Sequence, residues 1–253
     1  MIRFGKASAA LHEEARADLV RLERRLFLKQ SLSLGAVAML TGCDAGSAAG
    51  VEGALGKMSH FNDWVQARLF SPSRLAPTYA ETDITKPFPF NAYYAEDMAP
   101  AVDGDTWRLE LSGMIADRRP WSLAELRALP QETQITRHLC VEGWSAVGKW
   151  GGVPLRTFLE RVGADLKSKY VGFRCADKYY TSIDMASALH PQTILALTYA
   201  GEVLPRKYGF PVKLRIPTKL GFKNPKHITA MFVTNVYPGG YWEDQGYNWF
   251  AGL

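Results

Sequence analysis

Apolar and polar residues alternate in "TWRLELSG", where Trp107, Leu109 and Leu111 fall on one side, as a half-buried strand requires. A helical period follows. "SLAELRAL" opens on a capping box, Ser122 and Glu125, in which each side chain satisfies the other residue's orphan amide. "PLRTFLERVG" begins with Pro154 and ends on Gly163, a helix with both stop signals in place. Further strands are predicted at 134–140, 169–175, 178–183, 194–199, 211–216 and 227–236, and "TYAGEVLP" reads as a hairpin. Dominant strands with short helices between them give an α+β class with a mixed, mostly antiparallel sheet core.

Before residue 105 the pattern is different. "ERRLFLKQSLSLGAVAMLTGCD" joins Arg24 and Arg25 to an apolar run from Ser31 to Leu40, too short to span a bilayer as a helix. Paired arginines, a short apolar stretch and small residues compose a twin-arginine export signal. Its end, Leu40-Thr41-Gly42-Cys43, is similar to a lipobox, in which Cys43 is acylated and becomes the mature N-terminus. Residues 1–43 are therefore expected to be signal and lipid attachment, which places the protein at the periplasmic side of the cytoplasmic membrane. Residues 44–56 are Gly/Ala-rich, as in a flexible tether. Five prolines between 71 and 100 suggest an extended arm over a core. These give a tether and arm over 44–84 and a main domain over 85–253.

Composition narrows the function. Hydrophobic residues make up 47% of the chain, enough for a sizeable core. The net charge is +5, but residues 1–42 hold seven Lys/Arg against four Asp/Glu, leaving 23 against 21 elsewhere. A nucleic-acid partner loses its electrostatic basis.

Three cysteines are present. With Cys43 assigned to lipid, Cys140 in "RHLCVEGWSAVGKW" and Cys175 remain in an oxidising compartment, and composition alone favours a disulfide between them. Arg137, His138 and Lys149 would instead favour a thiolate, although neighbours on a strand point to alternate faces. A cysteine hydrolase would use His138 as its base. Zinc is disfavoured because no Cys/His cluster has ligand spacing. The remaining alternative is that Cys140 ligates some other metal. A second feature bears on the choice: no acidic residue lies between Glu202 and Glu243, while "LPRKYGFPVKLRIPTKLGFKNPKHI" carries Arg206, Lys207, Lys213, Arg215, Lys219, Lys223 and Lys226. Such a stretch either solvates a strand face or concentrates positive potential on an anionic, phosphorylated ligand.

"CVEGWSAVGKWGGVPL" followed by "KYGFPVKLRIPTKLGFKNPKHI" resembles the sulfite-oxidase-fold molybdopterin oxidoreductases, over residues 85–250. Within that group it is most similar to the exported methionine-sulfoxide reductase catalytic subunits. The resemblance implies a Mo-molybdopterin cofactor, Cys140 as thiolate ligand to molybdenum, early pterin contacts at Asn91, Tyr94 and Ala95, and a phosphate-holding loop at Asn224, Pro225 and Lys226. Soft thiolate suits a sulfur-rich metal sphere. It also implies that Cys175, Tyr208 and Lys213 belong to the cofactor pocket, where the branch carries threonine, asparagine and arginine, and that Arg137 or Tyr208 orients substrate. No Cys-x-x-Cys-His haem site is present, so electrons pass to or from a separate partner. For this family that partner is a membrane b-type cytochrome linked to quinones, with a small-molecule or protein-bound oxide as substrate. Leu253 follows soon after the core, so the extra C-terminal dimerisation domain of sulfite oxidases is not expected. The opposing reading is a non-enzymatic lipoprotein binding module stapled by Cys140 and Cys175.

Overall fold

The computed structural model describes residues 48–253. The export signal, its paired arginines and Cys43 lie outside the described residues. The chain divides into two compact units, Met1–Met58 and Ser59–Leu253, and the fold and site below belong to the second.

The first described element is a helix, α1 (Ala48–Leu69). It replaces most of the flexible tether expected from Gly/Ala content. Alanines 48, 49 and 54 and Leu55 are strong helix formers and offset Gly50, Gly53 and Gly56. After it, residues 70–104 hold single helical turns at Glu81–Asp83 and Glu96–Met98 and an isolated bridge residue, Thr78.

Ten strands follow: β1 (Arg108–Gly113), β2 (Trp121–Ser122), β3 (Glu132–Leu139), β4 (Ser145–Pro154), β5 (Tyr170–Cys175), β6 (Tyr180–Asp184), β7 (Ile194–Tyr199), β8 (Glu202–Val203), β9 (Lys213–Arg215) and β10 (Ile228–Thr234). Short helices α2 (Leu123–Arg127), α3 (Leu155–Arg161) and α4 (Met185–Ala188) link them. One sheet has the order β2-β1-β10-β5-β6, in which only β1 and β10 run parallel. The other is antiparallel throughout, β3-β4-β7-β8, with β9 also paired to β7. The α+β class and the antiparallel bias are as expected. Ser122 Oγ accepts from Glu125 N and Glu125 Oε2 accepts from Ser122 N, completing the capping box. Ala200 and Gly201 adopt φ of 54° and 88°, the left-handed pair that a two-residue hairpin turn between β7 and β8 needs.

The two sheets share one core. Leu109, Leu111, Val171, Phe173, Met231 and Val233 from the first meet Val153, Leu195, Leu197 and Leu214 from the second. Strand periodicity sends the intervening residues of β7, Ile194 and Ala196, to the opposite face, where Phe88, Trp150 and Tyr208 cover them. Phe88 comes from the arm. Thr78 bridges to Thr136, and Thr85 exchanges hydrogen bonds with Val147, its N donating to the carbonyl and its hydroxyl oxygen accepting from the amide. The second sheet is thus covered on both faces, and the arm carries residues 91–94 onward to the tip of β3.

β4, in the middle of its sheet, was not predicted. Close packing requires its glycines: a Cβ on Gly152 would collide with the Leu195 carbonyl of the neighbouring strand.

Candidate functional site

Cys140 stands just past the end of β3. Its N donates to Trp144 O at 2.9 Å and its O accepts from Gly143 N at 3.1 Å, closing a tight loop in which Gly143 takes φ of 92°. That left-handed position is why the block reads Cys-Val-Glu-Gly-Trp. Cys140 is buried and borders an open cleft, together with Asn91, Glu142, Asp177, Tyr179, Gly221, Phe222 and Asn224–Lys226. Burial pushes its thiol pKa up, and the Glu142 carboxylate, with Oε2 3.6 Å from Sγ, acts in the same direction. The Glu142 backbone amide and the Asn91 side chain donate toward the sulfur and oppose the rise. Trp144 Nε1 holds Glu142 Oε2 at 2.8 Å.

The opposite wall is the loop at 221–226. Asn224 Oδ1 accepts from Arg215 Nη1 (3.0 Å) and Ile216 N (2.9 Å), while Nδ2 donates to Leu220 O (3.2 Å). Its side chain therefore shapes the loop. Lys226 Nζ donates to Lys207 O at 3.1 Å and lies 4.3 Å from the Phe90 ring centre. Tyr179 ties the wall to the rim by donating to Phe222 O at 2.7 Å. Across the cleft, Tyr94 donates to Asp177 Oδ2 at 2.9 Å and Tyr93 to Asp177 O. Burial first, and Asp177 second, raise both phenols, that of Tyr93 to about 12.

The basic run is not a solvated face. Lys213 is 3% exposed, Arg215 0% and Lys226 8%, and among the described residues none of the three has a carboxylate ion-pair partner. Burial lowers all three, Arg215 to about 9 and Lys226 to about 8, and the like charges of Lys226 and Arg215 press Lys213 down further. His138, two residues from Cys140 on the same strand face, is 1% exposed and held neutral by burial and by these cations. Neither of its ring nitrogens has a partner, and Arg215 Nε and His227 Nε2 also lack one. Buried cations without an ion-pair partner beside unpartnered nitrogens form a site that an anion completes. Lys219 and Lys223, by contrast, are neutralised internally by Asp184 and Glu243.

Of the residues expected at the site, Asn91, Cys140, Asn224, Pro225 and Lys226 line the cleft, and Tyr94 reaches it through Asp177. Others fall elsewhere. Arg137 lies three residues from Cys140, on the opposite strand face, exposed and stacked over Tyr79 at 5.1 Å, so the structure does not bring it to the sulfur. Tyr208 is buried among Phe88, Trp150 and Tyr199 and donates to Phe88 O at 2.8 Å. That placement makes it a wall behind the site rather than a substrate contact. Cys175 ends β5, buried with its thiol pKa well up, and borders a separate cavity with Phe173, Lys178 and Phe232. Ala95 is exposed and precedes the Glu96–Met98 turn. Lys213 sits over the Trp150 ring at 5.4 Å, behind the cleft but within the cation cluster. Sequence reasoning passed over Glu142, Asp177 and the rim aromatics Tyr93, Trp242 and Tyr247. The density of aromatics in "YPGGYWEDQGYNWF" was the one signal available.

Residues 96–242 match the model of the oxidoreductase molybdopterin binding domain, more than half of the chain. The chain belongs to this family. It is 64% identical over 229 residues to a protein of Azospira oryzae named as the protein-methionine-sulfoxide reductase subunit YedZ1, covering 90% of this chain and 87% of that one. It is 30% identical over 215 residues to the protein-methionine-sulfoxide reductase catalytic subunit MsrP of Ralstonia nicotianae, covering 71% of this chain and 65% of the relative. The sulfane dehydrogenase SoxCD from Paracoccus pantotrophus superimposes with a TM-score of 0.51 at 19% identity, over 55% of this chain and 40% of that chain, and so shares the sulfite-oxidase fold. The protein is a molybdopterin-binding oxidoreductase, and its cofactor is Mo-molybdopterin. The unpaired buried cations fit a phosphorylated cofactor, and a buried cysteine with a polar donor beside it fits a sulfur-rich metal. Cys140 and Cys175 are both free, and with membership of this family the disulfide-stapled binding module is set aside.

Proposed function

We propose that this protein is the catalytic subunit of an envelope reductase that removes oxygen from sulfoxides, methionine sulfoxide in proteins foremost, with Cys140 Sγ as its one protein ligand to molybdenum. The observation that carries the reading is the placement of Cys140 on a cleft whose far wall ends in buried Lys226, with Lys213 and Arg215 clustered behind it. The names of the relatives supply the substrate class. Among the described residues no group of three or more His, Cys, Asp or Glu could hold a metal by itself, which suits a sphere otherwise filled by the cofactor's own sulfurs.

When bound, the cofactor supplies two-electron oxygen-atom exchange at the metal. The protein residues do the remaining work. Asn91 and the Glu142 amide stabilise the Cys140 thiolate against the burial that disfavours it. Lys213, Arg215 and Lys226 neutralise the cofactor's phosphate. The rim aromatics Tyr93, Trp242 and Tyr247 offer an apolar surface to the methyl and methylene groups of a thioether and exclude water from it. Reduction of a sulfoxide to a thioether and water consumes two electrons and two protons. Glu142, 3.6 Å from Sγ, and Asp177, hydrogen-bonded by Tyr94, are the carboxyl groups placed to deliver those protons. The electrons come from a quinone-linked membrane b-type cytochrome, to which a twin-arginine-exported, Cys43-acylated protein stays close.

The test uses protein exported through its own signal from molybdenum-replete cells. Stoichiometric molybdenum is expected, with a sulfur coordination number that falls by one in Cys140→Ser. Reduced viologen should be oxidised by sulfoxide-containing peptides faster than by small S- or N-oxides. Unchanged sulfur coordination in Cys140→Ser would remove the ligand assignment, and preference for a small N-oxide would remove the substrate class.

A further inference from the structure

From Ser59 onward helix α1 turns Ser59, Asp63, Val65 and Gln66 inward, all partly buried, and Phe70 follows just past its end. Asp63 Oδ1 accepts from Phe250 N at 2.7 Å, and Gln66 Oε1 accepts from Gly252 N at 3.0 Å. Backbone amides of the C-terminal segment hold the helix, so its large apolar side chains are left outside. Phe61 is 62% exposed and Trp64 64%, with ring centres 6.1 Å apart, and Leu69 is exposed further along. Soluble proteins bury such a face against their own core, the reverse of what is seen here. Arg68 stands four residues after Trp64 and is exposed, so a cation flanks the aromatic pair. In the N-terminal unit, Leu55 and Met58 are exposed as well.

We propose that the outward face of α1 from Ser59 onward lies on an anionic lipid bilayer, with Phe61 and Trp64 in the acyl boundary and Arg68 reaching to the headgroups. Two features select lipid over a protein partner. Arg68 beside the aromatic pair matches an anionic surface, with a long stem that places the charge above a buried ring. The helix also begins at Ala48, five residues after the lipobox Cys43, and five extended residues reach at most about 17 Å. An acylated Cys43 therefore keeps the helix within reach of the headgroups. Among the described residues no helix is long and apolar enough to cross a membrane, so α1 rests on the surface. The inference relies on the envelope location proposed above but not on the substrate or the metal.

The full-length protein is mixed with vesicles of phosphatidylglycerol and phosphatidylethanolamine whose acyl chains carry bromine, which quenches tryptophan only at contact depth. Wild type should show a lipid-quenched emission component that Trp64→Phe loses almost entirely. Phe61→Ser/Trp64→Ser should be released from the vesicles by high salt at least tenfold more readily than wild type, with melting temperature and molybdenum content unchanged. Quenching in Trp64→Phe equal to wild type overturns the proposal, as does failure of wild type to bind these vesicles. A dimer in solution that Phe61→Ser/Trp64→Ser dissociates would assign the face to a second copy instead and overturn the lipid assignment. Molybdenum content and sulfoxide turnover, measured on the same preparation, report separately on the proposed catalytic function.

Discussion

Replacing Lys226 by methionine should strengthen the empty protein and weaken its hold on the cofactor. Lys226 is 8% exposed, without a carboxylate partner, and burial lowers its pKa from 10.5 to about 8. That drop corresponds to about 3 kcal/mol of disfavoured charge, an upper figure because the hydrogen bond to Lys207 O is lost with the amine. The sign follows from proton binding. Between about pH 8 and 10.5 the unfolded chain holds a proton that the folded one has released, so this residue's burden is full below pH 8 and gone by pH 10.5. Methionine keeps the length of the stem and removes the charge. Urea unfolding of cofactor-free protein, from cells unable to make molybdopterin, should show Lys226→Met more stable than wild type at pH 7 by about 1–3 kcal/mol. The gap should narrow steadily toward pH 10. In the loaded protein the order reverses: Lys226→Met should retain less molybdenum after gel filtration. Retention by wild type should itself fall as pH rises above about 8, because the anion binds the charged amine. Equal stability of the two empty proteins at pH 7, or equal retention of molybdenum, would refute the reasoning.

Three further outcomes follow from named contacts. Asn91→Ala removes a donor to the Cys140 sulfur, so in cofactor-free protein the pH midpoint of Cys140 alkylation should move upward while melting temperature changes little. Glu243→Gln leaves Lys223 buried against an uncharged partner and should cost about 3–5 kcal/mol by urea unfolding, with much of the loss recovered in Glu243→Gln/Lys223→Met. Gly221→Ala would place a methyl 2.6 Å from His138 Nε2, pushing the 221–226 wall outward, and should lower molybdenum retention more than it lowers the unfolding midpoint.

Much of this architecture could be read from short-range chemistry. The alternation in β1, the Ser122–Glu125 box and the Ala200–Gly201 hairpin are local rules obeyed locally. β4 broke the same rules because its neighbours, not its own propensities, decide its residues: Gly152 is there to let β7 approach. At the site, Cys140 and the loop ending at Lys226 were found because each carries a dense block of chemistry, but their distance from Arg137 was misjudged. Residues 137 and 140 differ by an odd number, and strand parity alone separates them. Glu142 and Asp177 could not be found this way, since each is a single carboxylate in a turn whose partner comes from a distant segment. The burial of the lysines was equally invisible, because a run of cations looks the same whether water or a fold surrounds it.

That burial bears on the proposed export. Lys213, Arg215 and Lys226 weaken the empty fold in the same direction, since desolvation is the leading cause for each. An anion placed among them reverses the sign, raising their affinity for protons and stabilising the folded state by mass action. The loop that gains most is the one that closes on Cys140's cleft, and Asn224 couples it to Arg215 through a single carboxamide. A protein built this way is most stable when its cofactor is already in place. On the proposed export route, which carries proteins already folded, the loaded molecule is then both the active species and the one best able to arrive intact.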